Sequence, residues 1–324
     1  MKETIELAAD IPLELDGERL DQAAAQLFPA YSRSRLQIWI KSGELSVNGQ
    51  TRRPRDKVNE SDQLLVRAEL VLEVPWQAQP IDLDIVYEDA SIIVLNKPAG
   101  LVVHPAAGHA DGTLVNALLS HAPELAQLPR AGIVHRLDMD TSGIMVVARS
   151  LSAHSHLVGQ LQARTVKREY CAVCIGVMTG GGTVDAPMGR HPRQRKKMAV
   201  LAAGGKPAIT HYRVSRRFGH HTRILVTLET GRTHQIRVHM AHRKYPLVGD
   251  PQYGGRPRIP KGASGELVEA LRGFPRQALH AQALGLIHPE SEEQMRFECP
   301  LPADIIALLD VLEREDPARS HALY

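Results

Sequence analysis

Two stretches of this 324-residue chain concentrate the residue types that acid–base or nucleophilic chemistry requires. The first, Gly132-Ile-Val-His-Arg-Leu-Asp138-Met-Asp140-Thr-Ser-Gly143, sets a histidine, an arginine and two aspartates just before the apolar run Ile144 to Ala148. A polar loop at the start of a strand often carries a site, because a rigid scaffold holds residues that remain accessible. Asp140 reads as a turn residue whose carboxylate serves nearby backbone N–H groups. Asp138 reads differently, since Leu137 and Met139 flank it and should draw the loop inward. A carboxylate held inward requires a cation, or it takes up a proton. The second stretch, Thr230-Gly-Arg-Thr-His-Gln-Ile-Arg-Val-His239, offers Arg232 and Arg237 for that purpose. Its portion Ile236-Arg-Val-His-Met240 alternates as a strand does, which places Arg237 opposite the apolar side chains.

Other chemistries fail on spacing. A phosphate loop ending at Gly205-Lys206 needs a glycine where Val200 stands, and Gly180-Gly181-Gly182 lacks the dinucleotide pattern. Cys171 and Cys174 lie three apart in a strand-like run and so face opposite sides, which argues against a metal or redox pair. His234, His239 and His242 lack the HExxH arrangement. Asp140-Thr-Ser-Gly143 has one residue too many for an aspartic-protease loop and occurs once, where a dyad needs two. The expectation is therefore no metal and no cofactor.

The elements that must position these residues divide into two sets. Near the N-terminus, Leu20, Ala23, Ala24 and Leu27 recur at helical spacing. A second helix runs through Leu36, Trp39 and Ile40, capped by Ser32 or Ser34 and stopped by Gly43. Leu45-Ser46-Val47 then leads into Asn48-Gly49, a strong hairpin-turn signal. Residues 17–74 form this first domain, and 75–83, with two prolines and no periodicity, reads as a linker. From 84 to 324 strand-like runs dominate: DIVYED, SIIVLNK, GIMVVAR, EYCAVCIGV, RILVTLE and QIRVHMA. Helical patterns at Thr113–His121 and Leu151–Gln162 intervene, so an α+β domain with a mixed, mainly antiparallel sheet is expected.

Hydrophobic residues at 43% and charged residues at 23% exclude a largely disordered chain. The net charge of +3 conceals two basic stretches. Between Tyr31 and Lys57 seven basic residues face two acids, and from Pro187 to Arg217 there are nine and none. Such stripes suit a polyanion. Arg33, Arg35, Lys41, Arg52, Arg53 and Arg55 are the candidate phosphate contacts of the first set. Three cysteines cannot build a disulfide framework and fit a reducing, cytoplasmic setting. No apolar run approaches the ~20 residues of a membrane span.

Taken together, GIVHRLDMDTSG, NKPAGLVVHP, KREY and ETGRTHQIRVH resemble the pseudouridine synthases that act on large-subunit ribosomal RNA. The helix, basic helix and hairpin of the N-terminal set resemble the small RNA-binding module first known from ribosomal protein S-four. The resemblance implies conversion of uridine to pseudouridine without cofactor or metal, on 23S ribosomal RNA or the large subunit and its precursors. The helix 69 stem-loop is the target it implies, and the protein is expected to act as a monomer. Motif by motif, it makes Asp138 the essential residue, acting as nucleophile on the anomeric carbon or as base on the neighbouring ribose proton. It makes Arg237 the basic partner of Asp138, Tyr170 the residue that stacks on uracil, and Arg136 the one that fills the gap left by the extruded base. Asn96-Lys97-Pro98 and His104 are expected to shape the cleft. An RNA-binding protein without activity, or a hydrolase using Asp138 and Asp140, are the alternatives. The first gives no reason for a carboxylate in an anion-binding cleft.

Overall fold

The alternation of Ile5, Leu7 and Ala9 makes an N-terminal strand that the hydrophobic reading above did not include. In the computed structural model, which describes residues 3–29, 31, 33–70, 76–105 and 108–318, this strand β1 spans Glu3–Asp10. The chain divides into two units, Met1–Pro75 and Trp76–Tyr324. The first contains β1, helices α1 (Leu20–Leu27) and α2 (Arg33–Ser42), and strands β2 (Leu45–Val47) and β3 (Gln63–Leu70). Ser32, one expected cap of α2, lies outside the described residues. Asn48 and Gly49 both take positive φ, 50° and 74°, as the turn signal requires. The turn closes only one bridge, Val47 to Gln50. The full partner of β2 is β3, which also pairs with β1, so the sheet order is β1-β3-β2. Leu20, Leu36, Trp39, Ile40, Leu45 and Leu64 fill the core beneath it.

One buried charge organises this unit. Asp21 is wholly buried and receives Arg19 Nε at 3.0 Å, Arg33 Nη2 at 2.7 Å and Gln37 Nε2 at 2.6 Å. Arg33 is thus drawn to an internal carboxylate as well as lying on the basic stretch. Arg52 likewise donates to the Lys57 carbonyl at 3.2 Å and faces Asp62 at 3.8 Å. Lys41, Arg53 and Arg55 are exposed.

The second unit is built on a nine-stranded sheet. Its first elements are β4 (Ile85–Glu88), β5 (Ile92–Lys97), α3 (Leu114–His121), β6 (Ser142–Ala148), α4 (Leu151–Ala163) and β7 (Lys167–Ile175). Then come β8 (Gly182–Asp185), the small ribbon β9 (Met188–Arg190) with β10 (Met198–Val200), β11 (Ile209–Arg217) and β12 (His221–Leu228). Helices α5 (Gln235–His242) and α6 (Gly265–Gly273), strands β13 (Leu279–Ile287) and β14 (Gln294–Glu298), and helix α7 (Ala303–Glu315) complete it. The order is β4-β5-β6-β13-β7-β12-β11-β8, with β14 added beside β13. Only the β6–β13 join is parallel, at Ser142–His280 and Gly143–Ala281, so the sheet is mixed and mainly antiparallel.

Both faces of its centre are covered, which explains the unbroken apolar runs of β5 and β6. Ile93, Leu95, Met145 and Val147 face one core, while Ile92, Val94, Ile144 and Val146 face the other. The first core also receives Ile133, Leu137, Tyr170, Leu228 and Ile236, so the two chemical stretches meet on that face. Part of the expected linker belongs to this unit: Asn116 Nδ2 donates to the Gln77 carbonyl at 2.7 Å, and Gln79 N to the Asn116 carbonyl at 2.9 Å.

Burial raises the Asp21 carboxyl, but hydrogen bonds from Arg19, Arg33 and Gln37 outweigh it and hold the group below the usual carboxylate range. A depressed folded value gives stability that is complete at neutral pH and is lost as pH falls below that range. Asp21→Asn should therefore destabilise the N-terminal unit by about 1–2 kcal/mol at pH 7, since it removes the charged acceptor shared by two half-exposed arginines and Gln37. The same change should cost less at pH 3, where protonation of the unfolded chain has begun to remove the advantage. Urea unfolding followed by Trp39 emission in a Trp76→Phe background checks it; equal losses at both pH values contradict the account.

Candidate active site

The loop from Gly132 to Gly143 is tied to the sheet at both ends. Ile133 bridges to Val147, and His135 Nε2 accepts the Val146 N–H at 3.1 Å. At the far end Gly143 has φ 120°, and a Cβ there would stand 2.2 Å from the Ala281 carbonyl oxygen. Only glycine allows β6 and β13 to approach this closely at the foot of the loop. Leu137, 4% exposed, anchors the middle with about 2 kcal/mol of apolar burial. Met139 does not share that role as the sequence suggested, for its side chain is 40% exposed. Its backbone holds instead, the carbonyl accepting Gly100 N at 3.0 Å and Lys97 Nζ at 2.8 Å.

Lys97 is fully buried and also donates to the carbonyls of Pro98 at 2.6 Å and Leu101 at 2.9 Å. Burial pushes its ammonium down to about 7, against the pull of Asp140 and Asp138. Three carbonyl acceptors nevertheless match the three protons of the charged form, one more than a neutral amine can supply. The lysine expected to shape the cleft does so by tying the first motif to the aspartate loop.

Asp138 Oδ2 meets Arg237 Nη1 at 3.0 Å, which joins the two stretches as expected. The rest of Arg237 is engaged elsewhere. Its Nε and Nη2 form a fork on Asp250 at 2.7 and 3.0 Å, and Asp250 is buried. Burial opposes the charge of Arg237, but Asp250 and then Asp138 outweigh it and raise the guanidinium further. The backbone N–H groups of Gln252 and Tyr253, each at 3.0 Å, also donate to Asp250 Oδ1. The Tyr253 ring covers the guanidinium at 5.1 Å.

Arg237 sits on helix α5, not on the strand that the alternation suggested. Gln235 through Met240 are all buried, so neither periodicity separates an inside from an outside. The polar members are satisfied internally: His239 meets Thr210 Oγ1 at 2.8 Å and the Ala186 carbonyl at 3.0 Å. Gln235 starts the helix by accepting Thr230 Oγ1 at 2.8 Å and Arg232 N at 2.9 Å. Arg232, the other candidate partner, donates to the Pro207 carbonyl at 3.0 Å.

A histidine considered from sequence only as a metal ligand completes the pairings of Asp138. His234 Nε2 faces Oδ1 at 3.8 Å. The Tyr253 hydroxyl accepts Met198 N at 3.0 Å and shares a hydrogen bond with His234 Nδ1 at 2.7 Å. When the hydroxyl donates in that bond, the neutral ring carries its proton on Nε2, toward Asp138. Burial pushes the imidazole down, in keeping with the neutral form. Neither His234 nor Asp250 shows helical or strand spacing relative to Asp138, so no periodicity points toward them.

Asp138, His234 and Arg237 line a cleft of about 740 Å³ that also contains Tyr170, Arg136, His104, Arg168 and the end of α4. Tyr170 comes from β7 and is 6% exposed. Burial raises its hydroxyl, with a further push from the charge of Asp138. Arg136 is exposed at the cleft beside Asp138. Asp140 stays outside this group; its carbonyl accepts Arg276 Nη1 at 3.0 Å. Among the described residues no group of three or more His, Cys, Asp or Glu could hold a metal ion. The arrangement presents one carboxylate, oriented by a cation, beside an aromatic ring in a largely cationic cleft.

Residues 91–242 match the RNA pseudouridylate synthase family, and residues 18–64 match the S4 domain. The chain is 61% identical over 318 residues to "Ribosomal large subunit pseudouridine synthase D" of Pseudomonas aeruginosa, covering 98% of this chain and 99% of that one. It is 52% identical over 325 residues to the protein of the same name from Haemophilus ducreyi, with both chains fully covered. Among solved structures, "Human RNA Pseudouridylate Synthase Domain Containing 4" superposes with a TM-score of 0.56 at 25% identity, over 72% of this chain and 94% of that chain.

Because Arg237 neutralises a fully buried Asp250, Arg237→Met should cost about 3–5 kcal/mol of stability besides disturbing Asp138. Thermal and urea unfolding measure that loss. A stable variant, within about 0.5 kcal/mol of the parent, would show that the fork on Asp250 is not structural.

Proposed function

From the premise that this chain belongs to the RNA pseudouridine synthase family, we propose that it modifies 23S ribosomal RNA during maturation of the large subunit. Uridines of the helix 69 stem-loop are the proposed targets, and the protein works as a monomer in the cytoplasm. The three cysteines are all free and buried, which suits a reducing compartment. The observation that carries the reading is the Asp138 carboxylate, 16% exposed, held at 3.0 Å by Arg237 in a cleft large enough for a nucleotide.

The reaction is an isomerisation and needs no co-reactant. The bond between ribose C1′ and uracil N1 breaks, the base turns, and C1′ joins C5. The proton displaced from C5 is balanced by the one gained at N1. Asp138 serves as nucleophile at C1′ or as base at C2′; its bond to Arg237 orients it for either task. The Tyr170 ring supports the loose uracil by stacking, which keeps the base near the sugar while it turns. Since C1′ of a stacked nucleotide is out of reach, the uridine must leave its helix, and Arg136 takes the space it vacates.

Asp138→Asn should abolish turnover and leave RNA affinity intact, because it removes a chemical group but no cation. Pseudouridine formation on a helix 69 stem-loop checks this. A variant retaining a tenth of the parental rate, a barrier change of only about 1.4 kcal/mol, would contradict the role. Mapping pseudouridine in 23S RNA from cells lacking the protein tests the target itself.

Arg136→Ala should harm base extrusion more than bond making. Its activity on a folded stem-loop should drop by about tenfold or more, reflecting part of the few kcal/mol of lost stacking, and fall less on an unstructured RNA. Equal losses on the two substrates would place Arg136 elsewhere in the mechanism.

A further inference from the structure

Arg168, two residues before Tyr170 on β7, is 7% exposed and lines the same cleft. Buried arginines elsewhere in the second unit have carboxylates: Arg237 has Asp250 and Asp138, and Arg276 has Asp304. Arg168 has none among the described residues. Its Nη2 donates to the Glu229 carbonyl at 3.1 Å, and its buried Nε has no partner. Nearby acids are already engaged. The Glu229 side chain meets Arg164 at 3.0 Å and His211 at 2.8 Å, while Glu169 meets Arg296 at 2.6 Å. The chain also leaves room for the guanidinium, because a Cβ on Gly231 would stand 2.6 Å from Arg168 Nη1. A permanent cation kept out of water with most of its donors unused is costly, and such a cost persists where a ligand offsets it.

We propose that Arg168 binds a backbone phosphate of the nucleotide turned into the cleft, the phosphodiester on one side of the target uridine. The proposal rests on the RNA-modifying reading above. A phosphodiester carries the full charge that the site lacks and accepts a guanidinium fork through two oxygens, whereas a uracil carbonyl is neutral and offers one. The position suits this, since Arg168 lines the same cleft wall as Tyr170 and His135. Gly231 acts with it as the residue that keeps the fork in place.

The test is a coupling measurement on a stem-loop RNA carrying a single neutral methylphosphonate, placed 5′ or 3′ of the target uridine. With native RNA, Arg168→Met should weaken binding by about 10- to 100-fold, the range for a hydrogen bond to a charged group. One of the two methylphosphonates should weaken parental binding by a similar factor and leave the Arg168→Met protein unaffected. Arg168→Lys, which keeps the charge without the fork, should fall between the two. Gly231→Ala should weaken binding in the parent through displacement of Nη1 and do nothing further in Arg168→Met. Unfolding supplies a control: replacing an unpaired buried cation with an apolar side chain should leave Tm unchanged or raised. Independent penalties from Arg168→Met and from both methylphosphonates would overturn the proposal, as would a lowered Tm without any coupling. Affinity is read apart from turnover, so absence of pseudouridine with the parental protein would defeat the functional reading without deciding the Arg168 contact.

Discussion

The three-way contact of Asp250, Arg237 and Asp138 governs the second unit. Arginine is always charged, and two of its nitrogens are fixed on a carboxylate that has no exposure to water. Arg237 therefore cannot swing away to follow Asp138; the loop must come to it. The three residues belong to a loop before β6, to helix α5, and to the turn after it. None of those segments balances its charge until the others have docked, because an isolated buried ion costs several kcal/mol. Assembly of the site and completion of the fold are in this sense one event.

A second constraint is the parallel join of β6 and β13. Every other pairing in the large sheet is antiparallel, and this one lasts for two residue pairs. Beyond it β13 turns to pair with β14, which leaves the start of β6 closely backed by β13 at Gly143. The aspartate loop emerges at that point. From the opposite side Lys97 gathers the carbonyls of Pro98, Leu101 and Met139. A loop with backbone bonds to three neighbouring segments holds its carboxylate in place without a helix or strand of its own.

Much of this was legible in the residues. The apolar runs of β5, β6, β7 and β12 appear as strands, and α3 and α4 follow their helical spacing, because the sheet and its covering helices bury faces of regular period. The inward aspartate and its need for a cation also follow from residue type, and Asp138 meets Arg237. Where sequence reasoning went astray, burial was complete or the backbone carried the contact. QIRVHMA alternates like a strand, yet its polar positions point into protein and are bonded there, so alternation ceased to report on solvent. Met139 holds the loop through its carbonyl, which no side-chain pattern reveals. Asp250 and Tyr253, outside both chemical stretches and without a period of their own, reach the site through a turn. Strand β1 is short in apolar residues and alternates only through Ile5, Leu7 and Ala9, too weak a pattern to stand out before its pairing with β3 is seen.

Counting basic residues also misjudges where an anion can bind. Arg33 and Arg52 belong to the N-terminal basic stretch, yet both serve internal acceptors, Asp21 for one and the Lys57 carbonyl with Asp62 for the other. The cleft shows the complementary case. Six arginines line it against two carboxylates, Asp138 and Glu229, and both acids are paired. An enzyme acting on RNA must place a carboxylate beside phosphates that repel it. Neutralising that carboxylate with one arm of an arginine, while other arginines keep their charge for the ligand, reconciles the two demands. The field in the cleft then stays positive, and the reactive oxygen of Asp138 remains available within it.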